Sequence, residues 1–328
     1  MEVSAGIMVP VGEASQAGEA RRAASSMAAN SGFDDDRAGR LALVVTEAAT
    51  NLVKHAHGGE IHLRLDGGTG RPAIDVVALD RGPGMSDPDA CMRDGFTTGA
   101  TPGTGLGAIR RMSSRFDVYS DANGTALLST VSGQDVNRAA LEVGTMSVPF
   151  PGETVSGDSW GVRAATLLVV DGLGHGPRAC EAARAAVESF EANPGDAPAE
   201  ALERMHARMH GTRGAAAAVA RIDSVAGVVT FAGLGNIAGA VCTSQGARNM
   251  VSHHGTLGHD ARRFQEFRYE WAEDAVLVMH SDGITSRWDL ARYPGLLRRH
   301  PMLVAAVLYR DFRRERDDVT VLVARSPR

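Results

Sequence analysis

Leu41, Val44, Val45, Ala48 and Leu52 fall at i, i+3, i+4, i+7 and i+11, a stripe with the period of an α-helix. It predicts one amphipathic helix over residues 37–55. Asp34, Asp35 and Asp36 supply its N-cap and a negative first turn, and Gly58 and Gly59 end it. An alanine-rich helix precedes it at 13–29. Runs at 61–65 and 74–79 read as strands, and a glycine-rich loop from 82 to 107 leads into a helix near 108–114. Two more strands, 116–120 and 125–131, turn through Asn123-Gly124, a hairpin signal.

At 132–138 the pattern lapses into polar residues, the expected linker. Beyond it, β-like runs fall at 141–148, 156–162, 166–170, 215–222, 228–232, 238–242, 275–280 and 319–324. Helical patterns interrupt them at 178–192, 199–210 and 301–309. Many strands with helices between and after them predict a layered α+β fold with packed sheets. The expected domains are residues 1–136 and 137–328.

Composition fits this division. A chain of 328 residues exceeds one ordinary core, and 44% hydrophobic with 22% charged residues is a globular balance. A net charge of −5 and a pI near 6.1 argue against non-specific grip on nucleic acid or an anionic membrane. Aromatic residues are too scattered for a base-stacking platform. Cys91, Cys180 and Cys242 lie far apart with no zinc spacing and read as reduced thiols. No apolar run reaches membrane-span length, and the N-terminus lacks the signal-peptide pattern, so a cytoplasmic protein is expected.

Two constellations carry candidate chemistry. In the first, Glu47, Asn51 and Lys54 share one flank of the long helix, beside the apolar stripe. Alone, such a flank is usually just solvated. Asp80-Arg81-Gly82-Pro83-Gly84 then follows an apolar strand; an acid before glycines suits a base amine and the close approach of a ring. Gly103-Thr104-Gly105-Leu106-Gly107 opens a helix and offers backbone N–H groups to phosphate. Each glycine motif is weak alone; their order is much more specific.

That order resembles the GHKL ATPase superfamily over about residues 5–132, which implies the Bergerat α/β sandwich and binding of ATP with Mg²⁺. By the resemblance Asn51 holds Mg²⁺, Glu47 is the general base, and Asp80 contacts the adenine amino group. Gly82 and Gly84 shape the base pocket, while Gly103, Gly105, Leu106 and Gly107 line the lid and phosphates. The stretch 105–112, GLGAIRRM, followed by Phe116-Asp117, looks like the RsbT branch of anti-sigma serine kinases. No upstream histidine-bearing dimerisation helix is seen, which disfavours a sensor histidine kinase.

In the second constellation, Asp158, Asp171-Gly172, Asp282-Gly283 and Asp317-Asp318 all sit at or near strand termini. One acidic strand end is usually a turn, but four in one half of the chain suggest hard oxygen ligands for Mg²⁺ or Mn²⁺. The array, with stretches 171–176 and 232–237, resembles the SpoIIE/RsbX branch of the metal-dependent (PPM) protein phosphatases, from about residue 141 onward. The resemblance implies an αββα sandwich and two ions of Mn²⁺ or Mg²⁺. Asp171 would bridge them, Gly172 would lend its carbonyl, Asp282 and Asp317 would complete the ligands of the second metal, and Asp158 would hold metal-bound water. Asp317 is preferred to Asp318 because the family's last ligand opens an acidic or Asp-Asn pair. The arginine-rich entry motif of the eukaryotic branch is replaced here by Pro149-Phe150-Pro151-Gly152-Glu153. His175 reads either as a general acid or as a loop hydrogen-bonding group, with the loop role preferred. Asn236 reads as part of a structural turn, and His253, His254 and His259 as surface residues.

Together these imply a bifunctional partner-switching regulator. One domain would phosphorylate serine on a STAS-domain antagonist, and the other would remove phosphate from a protein of that class. Two further readings stay open: a first domain that only binds ATP as a regulator, or one that sequesters a sigma factor.

Overall fold

The computed structural model describes residues 6–66, 72–92, 105–133 and 140–327. The chain divides into two compact units, Gly6–Arg138 and Ala139–Arg328.

In the first unit the stripe helix forms as α2 (Asp35–His55). Asp34 caps it by accepting the Arg37 N–H, and Leu41, Val44, Val45, Ala48, Ala49 and Leu52 are buried. It packs beside α1 (Ala14–Asn30) on a sheet built from β1 (Ile7–Val11), β2 (Gly59–Asp66), β3 (Ala73–Leu79), β4 (Arg115–Asp121) and β5 (Gly124–Val131). The sheet order is β1-β2-β3-β5-β4 and every pairing is antiparallel. Central β3 is buried along its whole length. A short helix, α3 (Pro88–Cys91), interrupts the glycine-rich region, and α4 (Gly105–Met112) follows. The edge strand β1 and the helix α3 were not foreseen from the pattern. Only Val9 and Val11 of β1 turn inward, and Pro10 suits an edge position.

The second unit stacks two five-stranded antiparallel sheets. One contains β7 (Asp158–Arg163), β8 (Thr166–Gly172), β9 (Ala215–Asp223), β10 (Val228–Leu234) and β13 (Phe267–Glu270), in the order β13-β10-β9-β8-β7. The other contains β6 (Glu142–Val148), β11 (Ala238–Thr243), β12 (Gly246–Asn249), β14 (Val276–His280) and β15 (Val319–Arg325), in the order β12-β11-β14-β15-β6. Alternation along β8 sorts the layers. Leu167 and Val169 enter the core between the sheets, while Leu168 and Val170 face α5 (Pro177–Ala192) and α6 (Pro198–Arg208). On the other sheet, α7 (Pro301–Phe312) lies against β6 and β15. It comes so close that a Cβ on Gly144 would fall 2.0 Å from the Met302 nitrogen. The result is the αββα sandwich that the resemblance implied. The extra strands β12 and β13 escaped the pattern because β12 is wholly exposed and β13 buries only Tyr269. Among the described residues no helix is long and apolar enough to cross a membrane.

Candidate functional site

In the first unit the fold draws the acid-bearing helix to the start of the glycine-loop helix. A Cβ placed on Gly105 would lie 3.2 Å from Glu47 Oε2 and 3.3 Å from Asn51 Oδ1. The two polar side chains therefore face the first residue of α4, where backbone N–H groups are unpaired by the helix itself. Leu106 packs on the core and Gly107 and Ile109 are buried, which fixes α4 against α2. Lys54 is exposed. Gly103, also expected to line the phosphates, lies outside the described residues.

Asp80 stands just past β3 with its Oδ1 accepting N–H groups from Gly82 (2.9 Å) and Thr125 (3.0 Å). Two backbone donors on one oxygen hold the carboxylate in a fixed orientation. Gly84 has φ +69, and a Cβ there would sit 1.9 Å from the Asp121 carbonyl oxygen, so the turn admits no side chain. At Gly82 a Cβ would meet Ala56 at 2.7 Å. These glycines let the loop fold between α2 and β4, leaving Asp80 at the same end of the sheet as the C-terminal part of α2.

In the second unit the four expected acidic positions come to one end of the facing sheets. Asp158 opens β7 directly opposite Asp171, near the end of β8. Ser281, just after β14 on the other sheet, donates its hydroxyl to Asp158 Oδ2 at 2.6 Å. That hydroxyl also accepts the Thr320 N–H at 3.0 Å, so one serine ties the sheets together beneath the cluster. Gly172 must be glycine, because a Cβ would come 2.2 Å from the Ala179 carbonyl of α5.

Charge crowding dominates the electrostatics. Burial, then the neighbouring Asp282 carboxylate, pushes Asp171 up to about 7. Burial and then Asp171 raise Asp158 well above the ordinary range; burial and then Asp282 raise Asp317. Like charges this close in a poorly solvated place do not all ionise without a counter-charge. Among the described residues no three His, Cys, Asp or Glu side chains close into a ready-made ligand set. Asp171 nonetheless feels the Asp282, Asp317 and Asp318 carboxylates, and Asp318 Oδ2 is buried without a hydrogen-bond partner. An all-oxygen, water-accommodating set of this kind fits a hard divalent cation such as Mg²⁺ or Mn²⁺.

Asn236 belongs to this cluster, correcting its assignment to a structural turn. Its Nδ2 donates to Asp282 Oδ2 at 2.8 Å and to Asp171 Oδ2 at 3.3 Å, bridging the two sheets. Truncating it removes a charge-assisted bond and brings the two carboxylates into unrelieved repulsion. Asn236→Ala is expected to raise the Mn²⁺ concentration needed for half-maximal activity about tenfold, as loss of a ligand-orienting partner commonly does. A metal titration with unchanged midpoint would show that the bridge has no such role.

His175 Nδ1 donates to Glu153 Oε1 (2.8 Å), and the ring stacks on Phe150 with centroids 4.4 Å apart. Both contacts match the loop role. His253 is not a surface residue: it is half-buried against Phe267, with its Nε2 enclosed. His254 and His259 are exposed.

Comparison with known proteins gives the same two parts. Residues 162–327 match the family described as stage II sporulation protein E (SpoIIE). Residues 11–130 match the histidine kinase-like ATPase domain family. The serine/threonine-protein kinase RsbT of Bacillus subtilis (strain 168) is 30% identical over 103 residues, spanning 31% of this chain and 77% of that protein. A chain solved in work on "The bacterial stressosome: a modular system that has been adapted to control secondary messenger signaling" is 29% identical. It covers 56% of this chain and 99% of its own, with a TM-score of 0.51. RsbX solved in complex with magnesium is 18% identical, covering 58% of this chain and 98% of its own, with a TM-score of 0.49.

Proposed function

Because the chain belongs to the SpoIIE family and carries an RsbT-type ATPase unit ahead of it, we propose that it is a bifunctional partner-switching regulator. Its first unit phosphorylates a serine of a STAS-domain antagonist with ATP, and its second removes phosphate from a phosphoserine protein of that class. The observation that carries this is the convergence of Asp158, Asp171, Asp282 and Asp317 at one end of two facing sheets, crowded enough to demand a counter-charge.

For the phosphatase, Asp171 with the Gly172 carbonyl, Asp282 and Asp317 would hold two divalent ions, and Asp158 would face their hydration shell. Such ions neutralise phosphoryl oxygens and make water more acidic. The chain's own residues set the stage for this. Asn236 orients Asp171 and Asp282 toward each other's side, and Ser281 fixes Asp158.

For the kinase, Glu47 would accept the proton of the incoming serine hydroxyl. The serine oxygen then bonds to the γ-phosphorus as the bond to the β-phosphate oxygen breaks, and ADP leaves. Asp80 would receive the adenine amino group, and Asn51 would hold Mg²⁺ beside the phosphates. Gly82 and Gly84 would floor the base pocket; Gly103, Gly105, Leu106 and Gly107 would cover the phosphates.

The test is to incubate the full chain with ATP and STAS-domain candidates, with and without Mn²⁺, and follow phosphoserine by intact mass. Mass gain by one partner with ATP, and loss from a phosphorylated partner with Mn²⁺, are expected. Loss without gain would leave a phosphatase whose ATP-binding unit only regulates it. ATP-independent capture of a sigma factor by that unit would replace the kinase with sequestration.

A further inference from the structure

We propose that Arg213 is the cation that grips the substrate's phosphoryl group at the phosphatase site. The inference rests on the phosphatase reading and adds a substrate-binding residue to it. The ligand it fits is a phosphoserine dianion.

The placement follows from strand register. Asp171 pairs with Ala216 and Gly172 with Ala215, so the segment entering β9 arrives beside the loop leaving β8. Leu173 N–H donates to the Gly214 carbonyl at 3.0 Å, tying the two loops together. Arg213 is next in line, and its Nη1 lies 2.9 Å from where a Cβ on Gly174 would stand. Its guanidinium thus lies over the loop that begins at Asp171.

Its partners, or lack of them, give the second argument. Among the described residues the Arg213 side chain makes no hydrogen bond or ion pair. An exposed arginine lying over the loop that leads away from Asp171, with its donors unpaired, keeps them for an incoming anion. A guanidinium meets two phosphate oxygens with parallel N–H bonds, a geometry that lysine does not reproduce.

The third argument is vacancy of the alternative. The segment where the eukaryotic branch places its entry arginines is Pro149-Phe150-Pro151-Gly152-Glu153 here. Glu153 is bound to His175, and Phe150 N–H donates to Asp318 Oδ1 at 2.9 Å. That entry segment therefore presents an acid and an aromatic ring, and no cation. Arg213, over Gly174 of the loop that leaves β8, offers the cation which that segment lacks.

The experiment uses the full chain with Mn²⁺ and inorganic phosphate as the probe, read by calorimetry, alongside hydrolysis of a phosphoserine peptide. Arg213→Ala is expected to weaken phosphate binding about tenfold and to raise KM about tenfold, with kcat within about threefold of wild type. The Mn²⁺ midpoint and melting temperature should stay unchanged. Arg213→Lys should retain part of the affinity, and Arg178→Ala, which removes an exposed arginine in the first turn of α5, should leave phosphate affinity at the wild-type value. Equal phosphate affinity in wild type and Arg213→Ala, no phosphate binding by wild type, or the same loss in Arg178→Ala would overturn the proposal. A wild-type chain that binds phosphate through Arg213 but hydrolyses nothing would remove the phosphatase reading and leave the anion site standing. If Arg213→Ala does not fold, the lysine variant decides, since undiminished phosphate affinity there argues against a bidentate grip.

Discussion

Asp171→Ala should abolish hydrolysis of a phosphoserine protein by the full chain, a loss on the order of a thousandfold or more, equivalent to several kcal/mol of transition-state charge stabilisation. Asp171 is the hinge of the cluster, opposite Asp158 across the ladder and joined to Asp282 through Asn236. The same substitution removes one of several mutually repelling carboxylates, so the metal-free variant should melt no lower than the metal-free wild type. Asp282→Ala should behave alike. Full activity of either variant, or of the wild type in excess chelator, would end the two-metal assignment.

The adjacent acids Asp317 and Asp318 are expected to divide the roles of ligand and scaffold. Asp318 is buried, and its Oδ1 holds the Phe150 N–H. An Asp318→Asn side chain can still accept that bond. Asp317→Asn is therefore expected to cost more activity than Asp318→Asn, and the reverse order would shift the ligand by one residue.

Much of this arrangement was legible in the sequence because it is local. The stripe on α2 is a period, the caps and glycine turns are short-range chemistry, and each acidic strand end adjoins a hydrophobic run that marks it. What the sequence hid depends on register between distant segments. Asn236 looked like a turn residue because its partners, Asp171 and Asp282, are far away in the chain and meet it only once β11, β14 and β8 are stacked. Arg213 was invisible for the same reason: nothing in Gly211–Gly214 says which loop it will face until β8 and β9 pair. The missed strands fail differently. β1 buries two residues and β12 none, so neither carries enough apolar alternation to stand out from a loop.

Glu47→Ala should stop incorporation of phosphate into the STAS-domain partner while leaving dephosphorylation by the second unit intact. The case begins with α2, whose buried stripe fixes the rotation of the helix and so aims the neighbouring flank. On that flank Glu47 and Asn51 both reach the first residue of α4, within 3.2 and 3.3 Å of a Cβ built on Gly105. On the proposed reading, in which α4 opens onto the ATP phosphates, this carboxylate is placed to take a proton from a nucleophile approaching the γ-phosphate. It is poorly placed to bind ATP itself, since like charges would repel. The variant should accordingly keep ATP affinity, within about threefold by calorimetry, while incorporation falls roughly a hundredfold or more, the scale of a lost general base. Asp80→Asn supplies the opposite signature. Its carboxylate is held by the Gly82 and Thr125 N–H groups, and the change should weaken ATP binding strongly while altering GTP binding little. If Glu47→Ala incorporates phosphate as fast as wild type, the proton leaves by another route and the kinase assignment of Glu47 goes. If it loses ATP affinity in step with activity, Glu47 serves the nucleotide pocket instead of the transfer. Dephosphorylation that also disappears in Glu47→Ala would mean that nucleotide chemistry in the first unit controls the second.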